Sequence, residues 1–258
     1  MSNVSSAARV AVVTPYDTEL REVIQRNMES VRAQTHPADH ILIADGSPQD
    51  GFDSAPRCLH LRLPVRCGDC GDTPRSVGIA FACSLGYDAI TLLDADCELS
   101  PDAVATCLRV AEESRVALVV GRRLLVRPDG TPLPVQDDTA SLHIDTNCYF
   151  FLRPAFRVLL SWALIPPPFH VVDDRVIRVA VAASGVRFAL AQQTTVVYPT
   201  RWESHYARSA ELPPANAKRL EPALVAAAAQ WQALDDKTRR AYCDALGFAI
   251  PLRDALQY

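Results

Sequence analysis

Short apolar, β-branched runs alternate with amphipathic stretches along the first half of the chain. RVAVVT (9–14) has strand character and is closed by Pro15, and Val23, Ile24, Met28 and Val31 then recur at helical spacing, which predicts a helix over 18–34. HILIAD (40–45) predicts a second strand that ends in the turn cluster Asp45, Gly46, Ser47 and Pro48, and LHLRL (59–63) predicts a short third. Thr73 and Pro74 read as an N-cap and a first-turn proline ahead of a helix over 75–85. AITLLD (89–94) is the next strand. Ser100 and Pro101 read as the start of a helix with Val104, Cys107, Leu108 and Ala111 on one side. VALVVG (116–121) predicts another buried strand, and RPDG (127–130) a turn between hairpin strands.

Beyond about residue 130 the alternation weakens. NCYFFL (147–152) and 186–198 have strand character, and 173–183 suggests a helix. The Ala-rich tail from 215 predicts helices with a break near Asp235 and an end at Gly247. No internal repeat or second core is visible. Continuously apolar strands followed by helices predict an α/β fold: a Rossmann-like, mostly parallel central sheet flanked by helices, with a C-terminal helical tail. In such a sheet the ligand site lies at the carboxyl ends of the strands.

Composition narrows the function classes. The 258 residues are 49% hydrophobic with a formal net charge of −4, so no global basic field attracts nucleic acid or anionic lipid. The first ten residues lack the apolar region of a secretory signal, and no window approaches the ~18–20 apolar residues of a membrane span. The expectation is a cytoplasmic chain without a transmembrane segment, with peripheral membrane contact left open. Among the eight cysteines only Cys67 and Cys70 form a spaced pair. No second pair or matching histidines accompany them, so the cysteines read as small, partly buried hydrophobes.

Three strand ends carry the chemistry: Thr14, Pro15 and Tyr16; Asp45, Gly46 and Ser47; and Asp94, Ala95 and Asp96. Carboxylates at i and i+2 past a strand can approach one hard cation, Mg²⁺ or Mn²⁺, which shares itself between protein oxygens and phosphates. Two aspartates also suit a plain turn before a helix. Asp94 favours chemistry more strongly, since it emerges from Leu92 and Leu93, where an unpaired carboxylate is costly.

SVRAQTHPADHILIADGSPQD (30–50) resembles the helix–strand–DGS segment of family 2 glycosyltransferases. GDTPRSVGIAFACSLGYDAITLLDADCELSPDAV (71–104) resembles their Arg-containing helix, buried strand and DxD motif, in matching order over roughly residues 9–125. The resemblance implies a GT-A fold, a nucleotide-diphosphate sugar donor and a Mn²⁺ or Mg²⁺ cofactor. By position, Thr14 and Tyr16, with Pro15 between them, border the base, and Asp45 hydrogen-bonds it, a uracil N–H being favoured. Arg75 approaches the base or diphosphate. Asp94, with Ala95 beside it, meets the ribose or the metal's water shell, and Asp96 is the metal ligand.

In the second half, FHVVDDRVIRVAVAASGVRFAL (169–190) resembles the family's acidic pair, helix and strand. Asp174 then aligns with the general base of inverting members, Asp173 beside it, against a plain role as helix-start carboxylates. His205 falls where many members place a further metal ligand, and Trp202 is a candidate for stacking on a sugar. Ser76, Cys97 and WALIPPPFH (162–170) depart from the family pattern. The implied organisation is a GT-A domain over 1–212, divided into a nucleotide-sugar half (1–125) and an acceptor half (126–212), with an extension over 213–258. The acceptor class stays open between a glycan, a lipid-linked sugar and a small molecule, and the C-terminal helices offer a homodimer surface. Competing readings are a retaining glycosyltransferase, a nucleotidyltransferase and a non-catalytic nucleotide-sugar-binding scaffold. TPYDTEL (14–20) lacks the glycines of a nucleotidyltransferase loop.

Overall fold

The computed structural model describes residues 8–135 and 144–250. Residues 1–7, 136–143 and 251–258, which the expected domain bounds include, lie outside them. The described strands form one eight-stranded sheet: β1 (Val10–Tyr16), β2 (Ala38–Asp45), β3 (Cys58–Leu63), β4 (Ala89–Leu92), β5 (Glu98–Leu99), β6 (Leu118–Val126), β7 (Tyr149–Leu152) and β8 (Phe188–Pro199). Their order across the sheet is β3-β2-β1-β4-β7-β6-β8-β5. The pairs β3–β2, β2–β1, β1–β4 and β6–β8 are parallel, while β7 runs antiparallel to both β4 and β6, and β5 antiparallel to β8. The sheet is therefore mixed in its second half, where the sequence alternation weakens.

Both faces of the sheet are covered, which is why β1 and β4 read as unbroken apolar runs. Val13, Ile43, Ile90 and Leu92 pack beneath α2 (Asp72–Ser84) and the segments that follow β7. Val10, Val12, Leu93 and Val119 pack on the other side with α3 (Ala103–Ser114). A third cluster joins Tyr16, Ile24, Leu42, Phe52 and Ala95 under α1 (Arg21–Arg32). Cys97, Cys107 and Cys148 are buried in these layers, and all eight cysteines are free thiols.

Helix starts differ in detail from the sequence expectation. Gly71, at φ 90°, is the N-cap of α2, so Thr73 and Pro74 lie inside its first turn rather than before it. Asp102, not Ser100, is the N-cap of α3. In neither case does the N-cap side chain bond its helix; Asp69 Oδ2 accepts the Thr73 N–H at 3.0 Å and Gln34 Oε1 accepts the Val104 N–H at 3.1 Å. RPDG does turn the chain, with the Arg127 N–H donating to Thr131 O at 2.8 Å, but it joins a single bridge between Val126 and Pro132 rather than two strands.

After β7 the chain passes α4 (Phe156–Leu159) and tight 3-10 turns that bring Trp162 and Phe169 into the main core, then enters α5 (Asp173–Ser184). The short α6 (Glu203–Arg208) follows β8. In the tail, α7 (Glu221–Ala233) buries Leu224, Ala227 and Trp231, and Trp231 meets Phe169 with ring centroids 5.1 Å apart. α8 (Asp236–Leu246) starts at the side chain of Asp235 and stops at Gly247 in the left-handed region, φ 79°. The tail thus packs onto the core that also carries α5. No helix among the described residues is long and apolar enough to cross a membrane.

Gly78 lets α2 approach the sheet. A Cβ there would stand 2.5 Å from Val13 Cγ1 and 2.6 Å from Ile43 Cδ1. Gly78→Val should therefore lose about 1–3 kcal/mol by overpacking, seen as a lower urea midpoint at unchanged slope; an unaltered midpoint would show slack in the contact.

Candidate active site

Because β1, β2 and β4 are parallel, their carboxyl ends share one edge, and Asp45 and Asp94 leave it side by side with β1 between them. The turn from Asp94 to Cys97 is gripped by two buried amides. Asn27, on the inner face of α1, donates through Nδ2 to Asp94 O at 2.9 Å and to Cys97 O at 2.8 Å. Asn147, just ahead of β7, accepts the Asp94 N–H at 2.6 Å and donates to Asp94 Oδ2 at 2.9 Å. Asn147 is itself held by Asp145 Oδ1 at 2.7 Å, and Asp145 Oδ2 pairs with Arg123 at 2.6 Å. Further along α1, Ser30 and Gln34 bond Leu99, Ser100 and Val104. A polar stripe on α1 therefore fixes the whole path out of β4.

Beneath this turn lies Arg75, 3% exposed. Its Nη1 donates to Asp72 at 3.2 Å and to Asp173 at 3.0 Å, and its Nη2 donates to Asp94 at 3.0 Å. Asp72 also meets His170 Nδ1 at 2.6 Å, and Asp173 receives the Trp162 indole N–H at 3.2 Å. Three carboxylates, Asp94 among them at 36% side-chain exposure, thus compete for one buried guanidinium. Burial pushes the carboxyls of Asp72 and Asp173 up, the charge of Asp173 adds to the rise at Asp72 and that of Asp174 to the rise at Asp173, and Arg75 pulls both down. The guanidinium is held firmly charged by the same three acids.

Asp96 stands apart from this hub. Its residue surface is exposed, yet its inner side is crowded, and burial together with the neighbouring Asp94 pushes its carboxyl up to about 6. Among the described residues its side chain has one hydrogen-bond contact, the Cys97 thiol, 3.7 Å from Oδ1. Asp174 follows Asp173 in the first turn of α5, and its N–H donates to Asp173 Oδ1 at 2.6 Å. Asp45 is buried and accepts the N–H groups of Cys67 at 2.8 Å and Gly68 at 3.3 Å. Gly46, at φ 77°, makes this possible, since a Cβ there would stand 2.4 Å from the Arg66 backbone nitrogen.

Several candidates stand elsewhere than expected. Thr14 and Tyr16 point into the interior, because in β1 they share the face of Val10 and Val12. Thr14 meets His40 Nε2 at 2.9 Å, and Tyr16 is bonded to His60 and to the Gln49 N–H. Pro15 takes the other face, against Gly71, and Ala95 is buried beside Tyr16. Arg75, expected at the base or diphosphate, has both Nη groups engaged by protein carboxylates. His205 is buried with Nδ1 2.7 Å from Thr200 Oγ1, and among the described residues no three His, Cys, Asp or Glu side chains are grouped to hold a metal. Trp202 is tied by its indole N–H to Tyr198 at 3.1 Å. A cleft of about 630 Å³ runs between α1 and the starts of β2 and β3, among Arg21, Phe52 and Arg57, and contains none of these residues.

Asn27, Asp72, Asn147, Trp162 and His170 escaped the sequence reading. Asn27 carried a signal, since it interrupts the apolar helix face between Ile24 and Val31.

The family model described as glycosyl transferase family 2 matches residues 11–159. The chain belongs to glycosyl transferase family 2. The matched stretch contains Asp45, Arg75, Asp94, Asp96 and Asn147 and ends before Asp173. This glycosyltransferase also shares its fold with S. aureus TarS. A structure of TarS 1–349 in complex with UDP aligns with TM-score 0.59 at 11% identity, covering 92% of this chain and 70% of that one. A complex of TarS 1–349 with UDP-GlcNAc gives TM-score 0.59 at 12% identity, covering 92% and 71%. A longer TarS structure gives 0.58 at 11%, covering 92% and 42%. No curated protein matches the sequence.

Arg75→Met should destabilise the glycosyltransferase by about 3–5 kcal/mol, because it strands buried acids without a counter-charge. Those acids would then bind protons more tightly folded than unfolded, so the loss should shrink in acid and grow as pH rises. Urea unfolding at about pH 5 and about pH 8 measures this; an equal loss at both would contradict the charge explanation.

Proposed function

We propose that this chain is a metal-dependent, inverting glycosyltransferase that moves a sugar from a nucleoside-diphosphate sugar, a UDP-sugar being favoured, to an acceptor hydroxyl. The observation that carries the proposal is the Arg75 bridge, with Asp94 Oδ1 and Asp173 Oδ2 each 3.0 Å from one guanidinium. It ties the turn that holds Asp96 to the start of the helix that holds Asp174. Leaving-group and proton-accepting sides are thereby set at a fixed separation, the condition for an in-line displacement.

The donor set fits a hard divalent ion. Asp94 has both carboxylate oxygens engaged by Arg75 and Asn147, whereas Asp96 offers its oxygens to the open side. Asp96 would hold Mg²⁺ or Mn²⁺ together with donor phosphate oxygens and water. Such an ion, held by Asp96, would supply positive charge against that developing on the leaving diphosphate. Asp45, oriented by the amides of Cys67 and Gly68, is an acceptor suited to a base N–H. Asp174 takes the acceptor hydroxyl's proton as that oxygen attacks the anomeric carbon from the face opposite the leaving group. UDP and UDP-GlcNAc in the TarS complexes support the choice of a uridine donor. The acceptor is a hydroxyl of a glycan, a lipid-linked sugar or a small molecule.

Asp96→Ala should remove the Mn²⁺ dependence of UDP binding measured by calorimetry. With the Asp96 carboxyl raised to about 6, wild-type Mn²⁺-assisted affinity should fall as pH drops below that value, whereas the variant should show no such fall. Retained Mn²⁺ dependence in the variant would defeat the metal assignment. Asp174→Asn should keep UDP affinity and lower turnover by about 10²–10⁴-fold. Near-normal turnover, or retained anomeric configuration in the product by NMR, would defeat the inverting base.

A further inference from the structure

A diphosphate placed beside Asp96 enters an acidic mouth. Asp94 and Glu19 both add negative charge around that carboxylate, and Arg75, engaged by three protein carboxylates, is not free to offset it. A bound ion answers part of this charge. The path of the chain past β8 brings another cation.

In the antiparallel β5–β8 pairing Glu98 stands opposite Val197, so the turn that precedes Glu98 and holds Asp96 lies at the same end of the pair as the chain that follows β8. The chain that leaves β8, through Thr200, Arg201 and Trp202, therefore sets out from the end of the pair at which the Asp96 turn lies. The stretch ahead of α7 is stitched onto it. The Lys218 N–H donates to Arg201 O at 2.7 Å, the Glu203 N–H donates to Lys218 O at 3.0 Å, and Arg219 pairs with Glu203 at 2.9 Å. Lys218 Nζ lies 5.5 Å from the centre of the Trp202 ring, whose indole N–H is anchored on Tyr198. A cation over an indole face is held in place without losing its charge. Lys218 is exposed, and no carboxylate among the described residues forms a salt bridge with it. Its charge is nevertheless felt at Asp96, where it favours the ionised carboxylate.

We propose that Lys218 is a diphosphate-binding residue: its ammonium, steadied over Trp202, meets a phosphate of the donor on the Asp96 side of the cleft. This rests on the nucleotide-sugar reading above and gives the C-terminal segment a part in it. A compact ammonium suits a tetrahedral phosphate as a point charge, and its proximity to the leaving group lets it stabilise the charge that appears there.

The test compares UDP with uridine by calorimetry, with Mn²⁺, on the full chain and on Lys218→Met and Lys218→Arg, each checked for an unchanged thermal midpoint. Lys218→Met keeps an unbranched apolar stem and removes the charge. It should weaken UDP about tenfold and leave uridine unchanged, while Lys218→Arg restores most of the UDP affinity. The UDP affinity of Lys218→Met should also respond less to added salt, since one screened charge is gone. Equal UDP affinity in wild type and Lys218→Met overturns the role of Lys218 alone. Equal weakening of UDP and uridine overturns it too, because the loss is then not on phosphate. Absence of UDP binding to the wild-type protein overturns the donor reading and the role of Lys218 with it.

Discussion

The arrangement depends on one buried cation with too many partners. Arg75 reaches Asp72 within its own helix, Asp94 at the exit of β4 and Asp173 at the start of α5. A buried guanidinium with a single carboxylate would be a modest structural strut, its attraction largely offset by desolvation. With three, the guanidinium is held from three directions at once. The result is a fixed triangle between parts of the chain 19 and 98 residues from Arg75. The raised carboxyls of Asp72 and Asp173 are the electrostatic signature of that crowding, and His170 and Trp162 supply the hydrogen bonds that make it tolerable.

Around this anchor, rigidity and openness are divided between neighbouring residues. Asp94 is held by a guanidinium, the side chain of Asn147 and, through its backbone carbonyl, Asn27. Two residues on, Asp96 has only the Cys97 thiol as a hydrogen-bond partner among the described residues and is open at its outer face. Of the second pair, Asp173 turns inward to Arg75 and Trp162, and Asp174 sits beside it at the helix start. In each pair the first acid locates the backbone.

What the sequence disclosed, and what it hid, follows from the range of each interaction. Strand ends were legible because β1, β2 and β4 are buried on both faces and stop at polar clusters. The same two-sided burial removed the alternation that would have shown Thr14 and Tyr16 to be interior. Arg75 looked like a ligand-facing residue because its helix offers only Asp72 nearby; the other two acids arrive from elsewhere in the fold. His205 sits where a metal ligand was expected, but Thr200, five residues away, engages its ring nitrogen. Asn147 had no periodicity to betray it, since its role exists only once β7 is placed against β4.

That placement has an architectural consequence. β7 runs antiparallel to β4, so its beginning, not its end, lies at the edge where β4 delivers Asp94. A parallel neighbour would have brought another strand exit to this position. The reversed strand brings an entrance instead, and Asn147 reaches the site as the chain comes in rather than as it goes out. The edge is thus furnished by traffic in both directions, which lets residues close in space sit on opposite banks of a long excursion. Lengthening or reshaping that excursion alters the surroundings of the site while leaving its floor where β4 and β7 put it.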